Sequence, residues 1–165
     1  MKKIKLFLIT INLVLVGGYF LNSVKLKEQT LSQGKLLLLQ LAPVDPRSLM
    51  QGDYMVLNYA VNNELPDNIP SKGYVIFEKD STANYKPILF TEQFQQIPNH
   101  QIILKYTHQP NDWNNGRIKL GAESYFFEEG QADKFAEAVF GGLKVDEKGN
   151  SILVGLYDKN KIQIE

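Results

Sequence analysis

The sequence predicts a mainly β domain, a small barrel or sandwich of about seven or eight short strands with one packed α-helix, preceded by a single N-terminal transmembrane helix. Three observations predict this class. Residues 6–21, LFLITINLVLVGGYFL, form a 16-residue apolar run behind Lys2, Lys3 and Lys5. From residue 35 onward, short apolar or alternating segments recur between clusters of Gly, Pro, Asn and Asp, which is the rhythm of strands and turns. One segment, residues 130–140 (GQADKFAEAVF), carries its apolar residues at helical spacing instead.

The apolar run comes first. A spanning helix takes about 20 residues, and Ile4 together with snorkelling Lys3 and Lys5 brings this segment to the short end of the working range. A cleaved secretory signal needs small residues in an A-x-A-like pattern, whereas this run leads into Gly-Tyr-Phe-Leu-Asn-Ser-Val. The expectation is an uncleaved signal anchor over residues 1–23, contacting the lipid bilayer through residues 4–21. Three lysines and the terminal amine precede the run, while Lys25 and Lys27 beyond it are partly offset by Glu28. That bias places the N-terminus in the cytoplasm and the domain outside. Residues 24–34 (VKLKEQTLSQG) read as a short polar helix or stalk ended by Gly34, and residues 35–165 as the domain.

Residues 35–41 (KLLLLQL) read as a buried strand, stopped by Pro43 and Pro46. Residues 54–61 alternate between two largely apolar faces, which predicts a central strand. A Pro- and Asn-bearing loop follows over 62–72. Residues 73–79 and 85–91 flank D-S-T-A-N as a hairpin, with Pro87 confining the second strand to an edge. Residues 101–107 form a further strand. Asn115-Gly116, in the cluster N-D-W-N-N-G, is the strongest hairpin-turn signal in the chain. Residues 117–127 return as a strand broken by Gly121. The helix over 130–140 is ended by Gly141-Gly142, and residues 143–145 and 151–157 bracket D-E-K-G-N as a last hairpin.

Composition narrows the function classes. Formal net charge is zero, and all 18 acidic residues lie at or after Glu28. Beyond Lys5 the body carries 15 basic residues against 18 acidic, so it lacks the basic face that nucleic acid requires. Absence of cysteine excludes disulfides, thiolate metal sites and cysteine nucleophiles. No glycine loop placed to cradle phosphate follows a strand, since Gly17-Gly18 falls in the apolar run and Gly141-Gly142 after the helix.

The densest shape information lies in residues 42–59, APVDPRSLMQGDYMVLNY. Asp45 precedes Pro46 and is pushed to extended backbone, and Arg47 lies within reach of that corner and of Asp53. Gly52 gives the freedom to turn into the strand. Tyr54 and Tyr59 bring apolar area with hydroxyls that need partners, and Leu57 shares the core side with Tyr59. Gly52 to Tyr59 match G-D-Y-x-x-L-x-Y at every fixed position, and the chain resembles the GDYxxLxY family of bacterial proteins. The preceding P-V-D-P-R and the later A-E-S-Y-F-F-E-E-G, with Glu123, Tyr125, Glu129 and Gly130, are similar to that family's other recurrent blocks. The resemblance covers residue 37 to the C-terminus. It implies a domain tethered outside the bacterial cytoplasmic membrane by one span, often encoded beside a multi-spanning membrane protein. It carries over no catalytic residue.

S-L-x-x-G-D ahead of an apolar strand also looks like a region of type I signal peptidases. Aligning Gly52-Asp53 puts Ser48 at that motif's threonine and Val44 at its nucleophile, and valine cannot attack a carbonyl. The nearest following lysines, Lys72 and Lys79, sit beside turns. His100 and His108 bound a predicted strand, about 25 Å apart at 3.3 Å per residue, too far to share a metal. Glu123, Glu128, Glu129 and Asp133 could form an acidic patch for a divalent cation, but Glu128, Glu129 and Asp133 fit a helix N-terminus better. Asp45 and Asp53 fit a structural corner better than an acid–base pair, and Trp113 serves either as a contact residue or as a loop anchor. No catalytic residue, metal site or cofactor is assigned. The expectation is a non-enzymatic accessory or interaction module. The alternative is a hydrolase or small-ligand-binding domain that uses the Asp45/Arg47/Asp53 corner on a signal-peptidase-like β scaffold.

Overall fold

Helix α1, Lys2–Gln33, is one unbroken rod of 32 residues in the computed structural model, which describes residues 2–42, 54–111 and 114–165. Its apolar window has a mean hydropathy of 2.0 and buries none of itself, so one helix is long and apolar enough to cross a membrane. Thr10 and Ser23 donate their hydroxyls to the carbonyls of Leu6 and Tyr19, each at 3.0 Å, and so hide polar groups within the apolar helix. The polar segment expected as a separate stalk is continuous with the span. The helix stops before Gly34, a position with no room for a Cβ against the Thr30 carbonyl oxygen.

Nine strands follow among the described residues: β1 Lys35–Gln40, β2 Tyr54–Val56, β3 Lys72–Lys79, β4 Tyr85–Thr91, β5 Ile102–Asn111, β6 Asn114–Lys119, β7 Ser124–Phe126, β8 Phe140–Val145 and β9 Ser151–Tyr157. A short helix α2, Ala132–Phe135, lies between β7 and β8. The strands form antiparallel sheets ordered β1-β8-β9, β2-β7 and β4-β3-β5-β6. All three sheets bury side chains in one core, with Leu37 and Leu143 from the first, Met55 from the second, and Val75, Phe77 and Leu104 from the third. The predicted mainly β class is what the chain adopts. Pro87 lies in β4 at the sheet edge, as its missing N–H predicts.

Three details depart from the sequence reading. The central strand expected over 54–61 is three residues long, because Tyr54 and Val56 face solvent and the chain turns into a 3₁₀ helix, Ala60–Asn63. Asn115-Gly116 is not the hairpin turn. Gly116, at φ +72°, sits inside β6 opposite Gln109 and Pro110 where the β5–β6 register slips, so its freedom serves a bulge. The helix over 130–140 shrinks to α2, while Phe140, Gly141 and Gly142 join β8 and pair with β1 and β9. An isolated helix of that length is marginal, and two sheet neighbours offer Phe140 more than a third helical turn would.

Three turns among the described residues share one device. Asp80 Oδ1 accepts the amides of Thr82 and Asn84 at 2.8 and 3.1 Å. Asp146 Oδ1 accepts those of Lys148 and Asn150 at 2.9 and 2.8 Å. Asp158 repeats this with Asn160 and Ile162, a turn the sequence reading did not single out. In each, the residue before the last is left-handed: Ala83 at φ 58°, Gly149 at 79° and Lys161 at 63°. The Asp146 turn also receives the anchor helix. Thr30, only 5% exposed, donates to Asp146 Oδ2 at 3.4 Å, and Lys144 Nζ donates to the Gly34 carbonyl at 3.0 Å.

Candidate functional site

The two sequence blocks lie against each other. β2 and β7 pair in register, with Tyr54 opposite Phe126, Met55 opposite Tyr125 and Val56 opposite Ser124. Beyond the strands the pairing continues through the Leu57 amide, which donates to the Glu123 carbonyl at 2.8 Å. Tyr59, 1% exposed, then donates its hydroxyl to the Ala122 carbonyl at 2.6 Å. Burial, with Glu123 adding to it, holds the Tyr59 pKa far above the ordinary tyrosine range, so the phenol is a permanent donor. Its ring covers Gly141, where a Cβ would come within 3.0 Å of Tyr59 Cε1. The final tyrosine of the first block therefore ties both blocks to the glycine strand β8.

The remaining members of the second block also serve shape. Glu123 Oε1 accepts the amides of Leu120 and Gly121, closing a turn in which Gly121 has φ +77°. Tyr125 packs edge-on against Phe135 with ring centroids 5.1 Å apart, and Phe127 meets the same ring at 5.4 Å. Gly130 lies at φ +84° in the turn before α2, where a side chain would be strained. Glu128 Oε2 accepts Gln131 Nε2 at 2.9 Å, while Glu129 and Asp133 are exposed. With only four residues in α2, little helix dipole is present for these acids to favour.

The ribbon has two unlike faces. Met55, Leu57 and Tyr59 point into the core, each 5% exposed or less. On the other face Tyr54, Val56 and Phe126 are 36%, 51% and 74% exposed, with the Tyr54 and Phe126 rings 5.8 Å apart. Phe126 was legible only as a member of an aromatic strand. Its register partner, which sets its face, is 72 residues away and is the signal a single sequence lacks.

Asp45, Pro46, Arg47, Gly52 and Asp53 lie outside the described residues, as do Val44, Ser48 and Trp113. The ends flanking the first block are joined, the Ala42 amide donating to the Asn58 carbonyl at 2.7 Å. Beside them is a cavity of about 300 Å³ lined by Leu41, Ala42, Met55, Leu57, Phe135 and Val139. None of its described lining residues is titratable. The histidines engage separate partners, His100 facing Glu78 at 3.7 Å and His108 Nε2 meeting the Asn115 carbonyl at 2.7 Å.

No curated protein and no solved structure matches the chain. The family model described as GDYXXLXY protein matches residues 18–156, a span that holds both blocks and runs from within α1 to the penultimate residue of β9. The chain belongs to the GDYXXLXY family.

Proposed function

We propose that the chain is a membrane-tethered, extracytoplasmic interaction module, a non-enzymatic accessory to another membrane or envelope protein. In this reading α1 is a signal anchor in the bacterial cytoplasmic membrane, with its N-terminus in the cytoplasm and the β domain outside. One observation carries the reading, the division of labour on the β2–β7 ribbon. Its inner groups are committed to structure, Tyr59 to Ala122 and Glu123 to two backbone amides. Its outer face leaves Tyr54, Val56 and Phe126 in contact with water. Adjacent exposed aromatic and aliphatic side chains are a surface that a protein partner desolvates with profit, and aromatic anchors dominate such contacts. A multi-spanning membrane protein is the partner class, since the tether confines the strip to the membrane surface.

The test is co-purification of the full chain from its native membrane in mild detergent, alongside the Val56→Ser/Phe126→Ser variant. The expected result is a multi-spanning protein recovered with the unaltered chain and lost from the variant, whose melting temperature stays unchanged. Recovery of no partner, together with a ligand-induced thermal shift that Arg47→Ala abolishes in a folded domain, would overturn this reading.

A further inference from the structure

The joint between the anchor helix and the β domain has no slack. A single residue, Gly34, separates the end of α1 from the start of β1. Its backbone packs on β8, where a Cβ would lie 3.1 Å from both the amide nitrogen and the carbonyl oxygen of Val145. Lys144 Nζ donates to the Gly34 carbonyl at 3.0 Å, and the buried Thr30 hydroxyl lies 3.4 Å from Asp146 Oδ2. Lys35, the next residue, pairs with Val145 in the sheet and donates its Nζ to the Asn99 carbonyl at 2.9 Å. Tilting α1 against the sheet would break the contacts of Thr30 and Gly34 together, because Lys144, Val145 and Asp146 are consecutive.

The helix leading to this joint is bare but continuous. Residues 22–33, beyond the apolar run, contain neither glycine nor proline and stay helical throughout. Thr30 is the buried residue among them, so α1 meets β8 and β9 only near its end. A free helix of this length, about 18 Å, is marginal in water. Here the costly nucleus is already formed at one side, since a span in lipid must satisfy its backbone groups within itself. At the other side the last turn is docked. Between them Gln29 Nε2 donates to Gln33 Oε1 at 3.3 Å, one turn along the same face.

The position of the ribbon makes this stiffness matter. β1 runs from the joint to Gln40, and just beyond it Leu41 bridges Tyr59. The β2–β7 ribbon is therefore attached about 20 Å along β1 from the joint. A swing of roughly 30° at the joint would carry that attachment through about 10 Å. Docked surfaces usually match to within about 1 Å.

We propose, on the span and interaction readings given above, that residues 22–33 are a rigid strut fixing the height and bearing of the β domain over the bilayer. The Tyr54/Val56/Phe126 strip is then offered in one direction only. The surface that receives it is one held at a fixed orientation in the same membrane, and the helical phase of the strut sets whether the two meet.

The test is pulsed EPR on the full chain in nanodiscs. Because the chain lacks cysteine, Lys25→Cys and Lys159→Cys, both at exposed positions, introduce the only two labels. The expected result is one narrow distance distribution. Adding Leu26→Gly/Lys27→Gly, a hinge between the first label and the joint, should widen it at least about twofold with the melting temperature unchanged. A distribution in the unaltered chain as broad as that of the hinge variant would overturn the proposal. A second arm inserts two alanines after Leu26, which turns the domain by about 200° around the helix, in a chain carrying a photo-reactive group at Phe126. Capture of a membrane partner should fall at least about tenfold. Undiminished capture would overturn the proposal and leave the interaction reading standing. No capture from the chain without the insertion would instead defeat the interaction reading, and the distance distribution still decides the strut.

Discussion

The inner and outer faces of the β2–β7 ribbon are built from neighbouring residues yet obey opposite rules. On the inner face every group has a partner: Leu57 is packed, Tyr59 is bonded to Ala122, and its ring fills the space that Gly141 leaves. On the outer face Tyr54, Val56 and Phe126 meet mainly one another and water. Recurrent residues on the inner face are thus explained by folding alone. Those on the outer face are not, and in the proposed reading they serve binding.

The comparison is tested first where the effect is largest. Tyr59→Ala removes a buried ring and orphans the Ala122 carbonyl, and it should destabilise the domain by about 3–5 kcal/mol in chemical denaturation. Val56→Ser on the opposite face should stay within about 0.5 kcal/mol, and comparable losses at the two positions would break the distinction. Gly141→Ala should cost about 1–3 kcal/mol, because the new methyl meets a ring held by its own hydrogen bond. Tyr59→Phe combined with Gly141→Ala should cost less than the sum of the two changes if that bond is what pins the ring.

The smallest effect concerns acid. The inner face presents a phenol that stays neutral at every ordinary pH, so acid sensitivity arises in exposed turns. At Asp80 the Thr82 hydroxyl, followed by the Asn84 amide, lowers the carboxyl pKa to about 2. Bonding to the Ile162 amide likewise lowers Asp158. A carboxylate depressed in the folded state contributes stability that is fully present above its unfolded pKa, about 3.9, and is lost as pH falls through the folded value. Carboxyl NMR titration should place the Asp80 midpoint near 2. Asp80→Asn should flatten the acid limb of the stability curve slightly.

The class of the fold was legible in local chemistry. D-S-T-A-N and D-E-K-G-N each announced a turn because aspartate can take two amides within its own loop. Pro87 announced an edge by the donor it lacks. What failed were inferences in which tertiary partners outweigh local preference. Residues 136–140 carry helical spacing, yet Phe140 pairs with Gln40 and Tyr157 in the sheet. Asn115-Gly116 carries a hairpin signature, but the Asn115 side chain donates to the Leu65 carbonyl at 2.8 Å, anchoring β6 to a distant loop. Of the candidate site, the blocks themselves stood out in the sequence. Their mutual pairing and the exposure of Phe126 did not, since both depend on register across the chain.

The most direct measurement places a photo-reactive phenylalanine at Phe126 or at Tyr125, neighbours on opposite faces of one strand, in the full chain in its native membrane. The account predicts a cross-link from position 126 to a multi-spanning membrane protein and none to another protein from position 125. Equal capture from both positions, or capture from 125 alone, would contradict it.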